Sequence, residues 1–214
     1  MRKLIISAVF LCTFFIGNAQ APKDAESWLE EVSDKVQSYD NIIIDFQYSL
    51  ENKAENVKQE TRGDVSLEGE KYLLNIMGTT RLFDGEKLYT IIPEDQEINI
   101  SSYDPTKDDN ITPSKMLTFY NEGYSSKLGE VRDLKGRKIQ YIKLTPIDSE
   151  AEIKHILLGI DQQTKHIYNL VQTQDNGTTI TITVNSFKTN QPISKSLFEF
   201  KEDRYPEFYI NRLD

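Results

Sequence analysis

RLFDGEKLYTIIPEDQEINISSYDPTKDDNITPSKMLTFY, residues 81–120, decides the fold class of this chain. Two apolar strands flank Asp84-Gly85, a pairing that favours a tight hairpin because its turn positions must tolerate positive φ. A third strand follows Pro93, and Gln96 to Ser101 alternates apolar with polar residues. Thr112-Pro113 then opens a short helical pattern to Asn121 carrying Met116, Leu117, Phe119 and Tyr120, with Thr112 as N-cap and proline at the first helical position. The block holds no group suited to bond-making chemistry. Its chemistry is that of oily strands followed by an oily cover.

The same reading extends in both directions. Upstream, Asp24 can cap a helix to about Ser38, in which Trp28, Leu29, Val32 and Val36 recur at helical spacing. From Ile42 the period changes to two. Ile44, Phe46, Tyr48 and Leu50 alternate with Ile43, Asp45, Gln47 and Ser49, the mark of a half-buried strand. A charged turn over Glu51–Gln59 leads to a strand around Val65 and Leu67, and a turn at Glu68-Gly69-Glu70 to another, Lys71 to Met77. Downstream, 103–110 reads as a polar loop. Strands are then expected near 128–133, 137–145, 153–161, 166–173 and 178–187, with Phe198-Glu199-Phe200 as a last short one.

About ten strands with two helical patches form a meander. One-sided alternation means one wet face and one dry face, and so long a sheet curls and must be covered. The expected fold is mainly β: a curved antiparallel sheet forming an incomplete, unclosed β-barrel with an α-helical lid. No repeat of solenoid length is present.

The N-terminus has the form of a secretory signal. Arg2-Lys3 precede an apolar run from Leu4 to Ile16, too short to span a bilayer, and Gly17-Asn18-Ala19 offers small residues for cleavage after Ala19. The expected organisation is a cleaved signal over residues 1–19 and a single domain over 20–214, exported and monomeric. Cys12, the only cysteine, leaves with the signal; Leu11 before it disfavours a lipid-anchored terminus. The remainder has no disulfide and relies on a hydrophobic core, for which its length suffices. Loss of Arg2 and Lys3 moves the net charge from −9 to −11. That balance argues against nucleic acid and against unaided binding to an anionic membrane.

Catalytic and metal groupings are thin. His155 and His166 lie in strand patterns and are expected to face solvent; pairing one with Asp161 would leave the couple without a nucleophile or a third metal ligand. Asp104 to Asp109 lacks the Asp-x-Asp-x-Asp-Gly order of a calcium loop. No glycine-rich phosphate loop exists. An enzyme, a metal site and a cofactor are therefore not expected.

Eleven Tyr and ten Phe exceed what a plain sheet needs. The expected cavity wall is Phe46, Tyr48, Leu67, Leu74, Leu82, Tyr89 and Ile91, closed by a lid of Trp28, Val32, Met116 and Phe119. Such a cavity suits acyl chains, since each buried methylene contributes about 0.8 kcal/mol. Met116 suits the lid because its thioether adapts to varied shapes.

The order of parts resembles the periplasmic outer-membrane lipoprotein carrier family (LolA-like proteins) over nearly all of the exported chain. Carrying the resemblance are the N-terminal amphipathic helix, Phe46, Gly63-Asp64-Val65, Asp84-Gly85-Glu86-Lys87-Leu88-Tyr89 with Pro93 beyond, Thr112-Pro113 with Met116-Leu117, Leu144-Thr145-Pro146 and Phe198-Glu199-Phe200. The resemblance implies an unclosed barrel under a helical lid that carries lipoprotein acyl chains across the periplasm. Cargo would come from an inner-membrane ABC-type releasing complex and go to an outer-membrane receptor. The family's latch arginine is missing from the turn Glu68-Gly69-Glu70-Lys71, with Arg62 and Arg81 as candidate substitutes. The alternatives are an envelope sensor or adaptor of the same fold, or a carrier of another lipid. A chain ending at Asp214 without a further domain favours the carrier.

Overall fold

The computed structural model describes residues 24–102 and 112–213. The signal expected at 1–19 and the polar loop expected at 103–110 lie outside them. The first element is helix α1, Ala25–Gln37. The Asp24 carboxylate caps it by accepting the Ser27 N–H at 2.8 Å, and Glu26 and Lys35 complement the dipole at its two ends.

Twelve strands follow: β1 Ile42–Asn52, β2 Val57–Glu68, β3 Lys71–Ile76, β4 Thr79–Phe83, β5 Lys87–Ile92, β6 Glu97–Ser102, β7 Tyr124–Leu134, β8 Arg137–Pro146, β9 Ile153–Asp161, β10 Ile167–Gln174, β11 Thr179–Thr189 and β12 Tyr209–Arg212. They form one sheet in the order β12-β6-β5-β4-β3-β2-β1-β11-β10-β9-β8-β7. Every pairing is antiparallel except β12 on β6. Because β7 and β12 do not pair, the barrel stays open. Most of β7 is exposed, and Lys127, Glu130, Arg132 and Asp133 break up its edge as a template for other strands.

Several expectations are corrected. The turn after β1 shrinks to residues 53–56, because both flanking strands run on as a long hairpin. Phe198-Glu199-Phe200 is not a strand. The chain turns there, buries Phe198 and stacks Phe200 on Tyr89, and only pairs with β6 at Tyr209–Arg212. The segment from Thr112 is not an α-helix but two single 3₁₀ turns, Lys115–Leu117 and Phe119–Asn121, with Thr112 as its expected cap. At the β4–β5 hairpin only Gly85 has positive φ, 105°. Asp84 contributes its carboxylate instead, accepting from the N–H groups of Glu86 and Lys87 and the hydroxyl of Tyr89 at 2.8–2.9 Å. Burial alone would push that carboxyl up, but the three donors hold it below its ordinary range.

Facing pairs show which residues share a face. The inner face carries Ile42, Ile44 and Phe46 of β1, paired with Leu67, Val65 and Gly63 of β2, which in turn face Tyr72, Leu74 and Ile76 of β3. Helix α1 fills one half of this face: Trp28, Leu29 and Val32 join Ile142, Leu144, Ile156, Leu158 and Ile160 in one core. Val32, Ile142, Leu144, Leu158 and Ile160 are all 0% exposed. Each such side chain contributes about 1.5–3 kcal/mol on burial.

The turn from Asp161 to His166 clamps the helix. Lys165 sits 3.7 Å over the Trp28 ring and pairs with Glu31 at 3.4 Å, and the His166 ring bonds the Tyr39 hydroxyl at 2.8 Å. His166 is therefore half-buried against Phe187 rather than solvent-facing, and burial, with Lys35 nearby, lowers its pKa. His155 is half-buried as well. Asp161 braces the turn from within, accepting from the N–H groups of Gln163 and Thr164 and from Arg137 at 2.6 Å.

This packing generates two predictions. A Cβ at Gly63 would come within 2.5 Å of Phe46 Cζ and 2.8 Å of the Asn75 carbonyl. Gly63→Ala should therefore cost about 1–3 kcal/mol by overpacking, read as a lower midpoint in thermal or urea unfolding. Burial pushes the Asp161 carboxyl up, but the Thr164 N–H, Arg137 and the Gln163 N–H outweigh it and hold it below its ordinary value. Its contribution is thus fully present above the unfolded value of roughly 3.9 and is lost as pH falls through the folded one. Asp161→Asn should weaken the fold at pH 7 by about 1–3 kcal/mol and flatten the loss of stability below about pH 4, measured by unfolding at a series of pH values.

Candidate functional site

The half of the inner face not filled by α1 keeps a cavity of about 240 Å³. Its floor is Ile44, Phe46 and Tyr48 of β1, Val65 and Leu67 of β2, and Leu74 and Ile76 of β3. Ile167 and Leu170 of β10 with Ile182, Val184 and Phe187 of β11 form the opposite wall. Pro113, Met116 and Leu117 roof it. Among these fifteen residues none is charged, and Tyr48 alone has a hydrogen-bonding side chain. Pockets for drug-sized ligands run to about 300–1,000 Å³. As it stands, the cavity suits one apolar segment.

Period-two alternation explains the lining. On β11, Thr179-Ile180-Thr181-Ile182-Thr183-Val184 sends its aliphatic residues inward, and a bulge at the β1 pairing between Asp45 and Phe46 resets the phase so that Phe187 faces in with Ile44. This wall could have been read from the same alternation, but Ile182, Val184 and Phe187 were not expected in it, nor were Ile44, Val65, Ile76, Leu117, Ile167 and Leu170.

Of the expected wall, the structure brings Phe46, Tyr48, Leu67 and Leu74 to the cavity. Leu82, Tyr89 and Ile91 face the other way. The β3–β4 hairpin has a two-residue loop, Met77-Gly78, so Ile76 faces Thr79 and Leu74 faces Arg81. Inward positions thus change from even to odd numbers, and even-numbered Leu82 goes to the outer face. The β4–β5 turn, where Phe83 faces Leu88, switches the parity back and puts odd-numbered Tyr89 and Ile91 outside. There they form a second core with Ile98 and Ile100, covered by Phe200, Tyr205, Phe208 and Ile210. Tyr89 stacks on Phe200 at 4.5 Å; burial first, then the Asp84 carboxylate it bonds, push its phenol up to about 12.

Of the expected lid, only Met116 roofs the cavity. Trp28 and Val32 belong to the filled half of the core. Phe119 turns away, meeting Tyr120 and Tyr124 edge to face at 5.5 Å each. Among the described residues two side-chain hydrogen bonds tie the roof down. Ser114 Oγ donates to the Gly69 carbonyl at 3.5 Å, and Asn121 Nδ2 donates to Ser33 Oγ of α1 at 3.0 Å. Tyr120 is buried beside the second tie, and burial raises its phenol far above the ordinary value. Of the candidate latch residues, Arg81 shares the inner face with Leu74, whereas Arg62 faces Gln47 on the outer side and cannot reach the roof. At the missing arginine's turn, the contact to the roof is the Ser114 hydroxyl.

A sequence model described as outer membrane lipoprotein carrier protein LolA matches residues 37–201, more than three quarters of the chain. The chain belongs to the LolA family. No curated protein matches the sequence significantly. Among solved structures, an uncharacterised conserved protein from Thermus thermophilus is similar at TM-score 0.58 and 10% identity, covering 86% of this chain and 98% of its own. That likeness shows the shared fold. A LolA superfamily protein from Nitrosomonas europaea aligns at TM-score 0.41 and 12% identity over 85% of this chain and 100% of its own. LprF from Mycobacterium bovis aligns at TM-score 0.47 and 13% identity over 79% and 94%. The LolA-like fold is a binding and carrier fold.

The two faces should respond differently to charge. Val184→Glu, at the half-buried cavity wall, should abolish uptake of an apolar fluorescent dye while the protein still unfolds cooperatively. Leu82→Glu should instead lower the unfolding midpoint by the equivalent of roughly 3 kcal/mol or more, the cost of an unpaired buried charge.

Proposed function

We propose that this protein is a periplasmic carrier that shelters lipoprotein acyl chains in the inner cavity and moves them from the inner to the outer membrane. The carrying observation is the cavity itself: fifteen lining residues without a charge, on the inner face of a LolA-family sheet, under a roof held by few bonds. An exported signal at residues 1–19, ahead of one domain over 20–214, fits that role. Among the described residues no helix is long and apolar enough to cross a membrane.

Affinity follows from area. Each methylene moved from water contributes about 0.8 kcal/mol, so a long chain binds without any polar contact. Release requires that the roof move. Single 3₁₀ turns have poorer hydrogen-bond geometry than an α-helix, and the Ser114 tie is long for a hydrogen bond. A lipoprotein with several chains needs more than 240 Å³, so loading requires the roof of Pro113, Met116 and Leu117 to lift away from the strand residues beneath it, Leu67 among them. Cargo would be received from an inner-membrane ABC-type releasing complex and passed to an outer-membrane receptor, with the carrier acting as a monomer.

The test is chemical. Protein purified from the periplasm and extracted with organic solvent should yield stoichiometric acyl species, and depletion of the protein should strand outer-membrane lipoproteins at the inner membrane. Extracts free of acyl species, with unchanged lipoprotein location, would overturn the reading.

A further inference from the structure

The inner face is graded along the strands. The row Ile44–Val65–Leu74 is wholly apolar, as is the row Val184–Phe46–Gly63–Ile76. The next row is Leu170–Ile182–Tyr48–Thr61, where two hydroxyls enter. One step further comes Gln172–Ile180–Leu50–Gln59, with an amide at each side. The roof rests at the opposite end, on the Gly69 turn. Along β1, Tyr48 is six residues from Ile42, or about 20 Å at the usual strand rise.

We propose that Tyr48 is a ligand-positioning residue whose hydroxyl donates a hydrogen bond to the ester or amide carbonyl of a single acyl chain, the tail running from there towards the roof. This rests on the carrier reading and adds orientation and selectivity to it.

Three observations carry it. First, among the described residues of the lining Tyr48 alone can donate a hydrogen bond from its side chain. Among the described residues its half-buried hydroxyl makes no hydrogen bond and is not sealed from water, so an occupant's carbonyl can take the place of solvent there. Second, it stands where the lining changes from aliphatic to polar, which is where an amphiphile's tail ends and its head begins. A carbonyl carried into the dry rows would lose its water without replacement, whereas at Tyr48 it gains a donor. Third, among the described residues no Lys, Arg or His is part of the lining, Arg81 being in register with Leu74 but outside it, so nothing described there favours a carboxylate. The class selected is therefore a neutral acyl ester or amide, not a free fatty acid anion. Burial raises the pKa of the Tyr48 phenol, which keeps its proton available for donation.

The experiment compares dissociation constants of the purified protein for four fluorescent probes of one chain length: an N-acyl peptide, an acylglycerol ester, the matching alkyl ether, and the free acid. Wild type should bind ester or amide about threefold to tenfold tighter than ether, the worth of one neutral hydrogen bond, and tighter than the acid at neutral pH. Tyr48→Phe should bind the ether as wild type does and lose the preference for the carbonyl, with an unchanged unfolding midpoint. Thr61→Val should keep the preference. The peptide and glycerol arms separate a lipoprotein from a membrane lipid as the source of the carbonyl. A preference for either one over the ether supports the assignment. If wild type binds ester and ether equally, prefers the acid, or keeps its preference in Tyr48→Phe, the Tyr48 assignment is overturned and the carrier reading stands. If no probe binds at all, the carrier reading falls and takes the assignment with it. Should Tyr48→Phe fail to fold, the wild-type ratio of ester to ether decides alone.

Discussion

Every large feature of this protein depends on strict alternation in a sheet whose hairpins set the parity. A two-residue loop at Met77-Gly78 makes Ile76 face Thr79. From there on, a row of oily residues that would have deepened the cavity is sent to the outside instead. The sheet thereby acquires two dry surfaces. One is the inner face from β1 to β3 and β8 to β11. The other is the outer patch of Leu82, Tyr89, Ile91, Ile98 and Ile100. Both must be covered, and the chain's remaining segments do it. Helix α1 and the 3₁₀ turns cover the inner face; residues 198–212 cover the outer patch and hide the edge of β6.

The inner cover is uneven, and that asymmetry creates the site. Helix α1, thirteen residues and so about 20 Å long, brings Val32 to complete burial and is held by Lys165, Glu31, Tyr39 and His166. The other cover is a pair of single turns with one long tie to Gly69 and one to Ser33. A stiff, clamped element fills its half of the face; a short, lightly held one roofs the other half and leaves space beneath. The division between core and cavity is therefore one between strong and weak attachment, which is what a container that must open needs.

The described lining carries no charge to select an occupant. Selectivity comes from area for the tail and from a polar boundary for the head. Tyr48 marks that boundary, followed by Thr61, Gln59 and Gln172 in register.

Much of this was legible in the chain. The capped helix, the period-two strands, the Asp84-Gly85 hairpin and the apolar cover after Thr112 followed from spacing alone, because local backbone preference and burial act over a few residues. So did the shared face of Phe46 with Tyr48 in one strand and of Val65 with Leu67 in the next. Three things depended on tertiary structure. Loop length decided that Leu82, Tyr89 and Ile91 point outward, since parity counts residues across a turn and not within a strand. Packing space decided that the cover after Thr112 is two 3₁₀ turns, and that Phe119 leaves the roof while Leu117 joins it. The partners met across the sheet decided that Ile182, Val184 and Phe187, far along the chain, line one cavity with Ile44. Sequence alone determined that an oily face exists and must be covered; only the three-dimensional register decided which face, because alternation fixes the difference between neighbours and leaves the choice of side to the pairing.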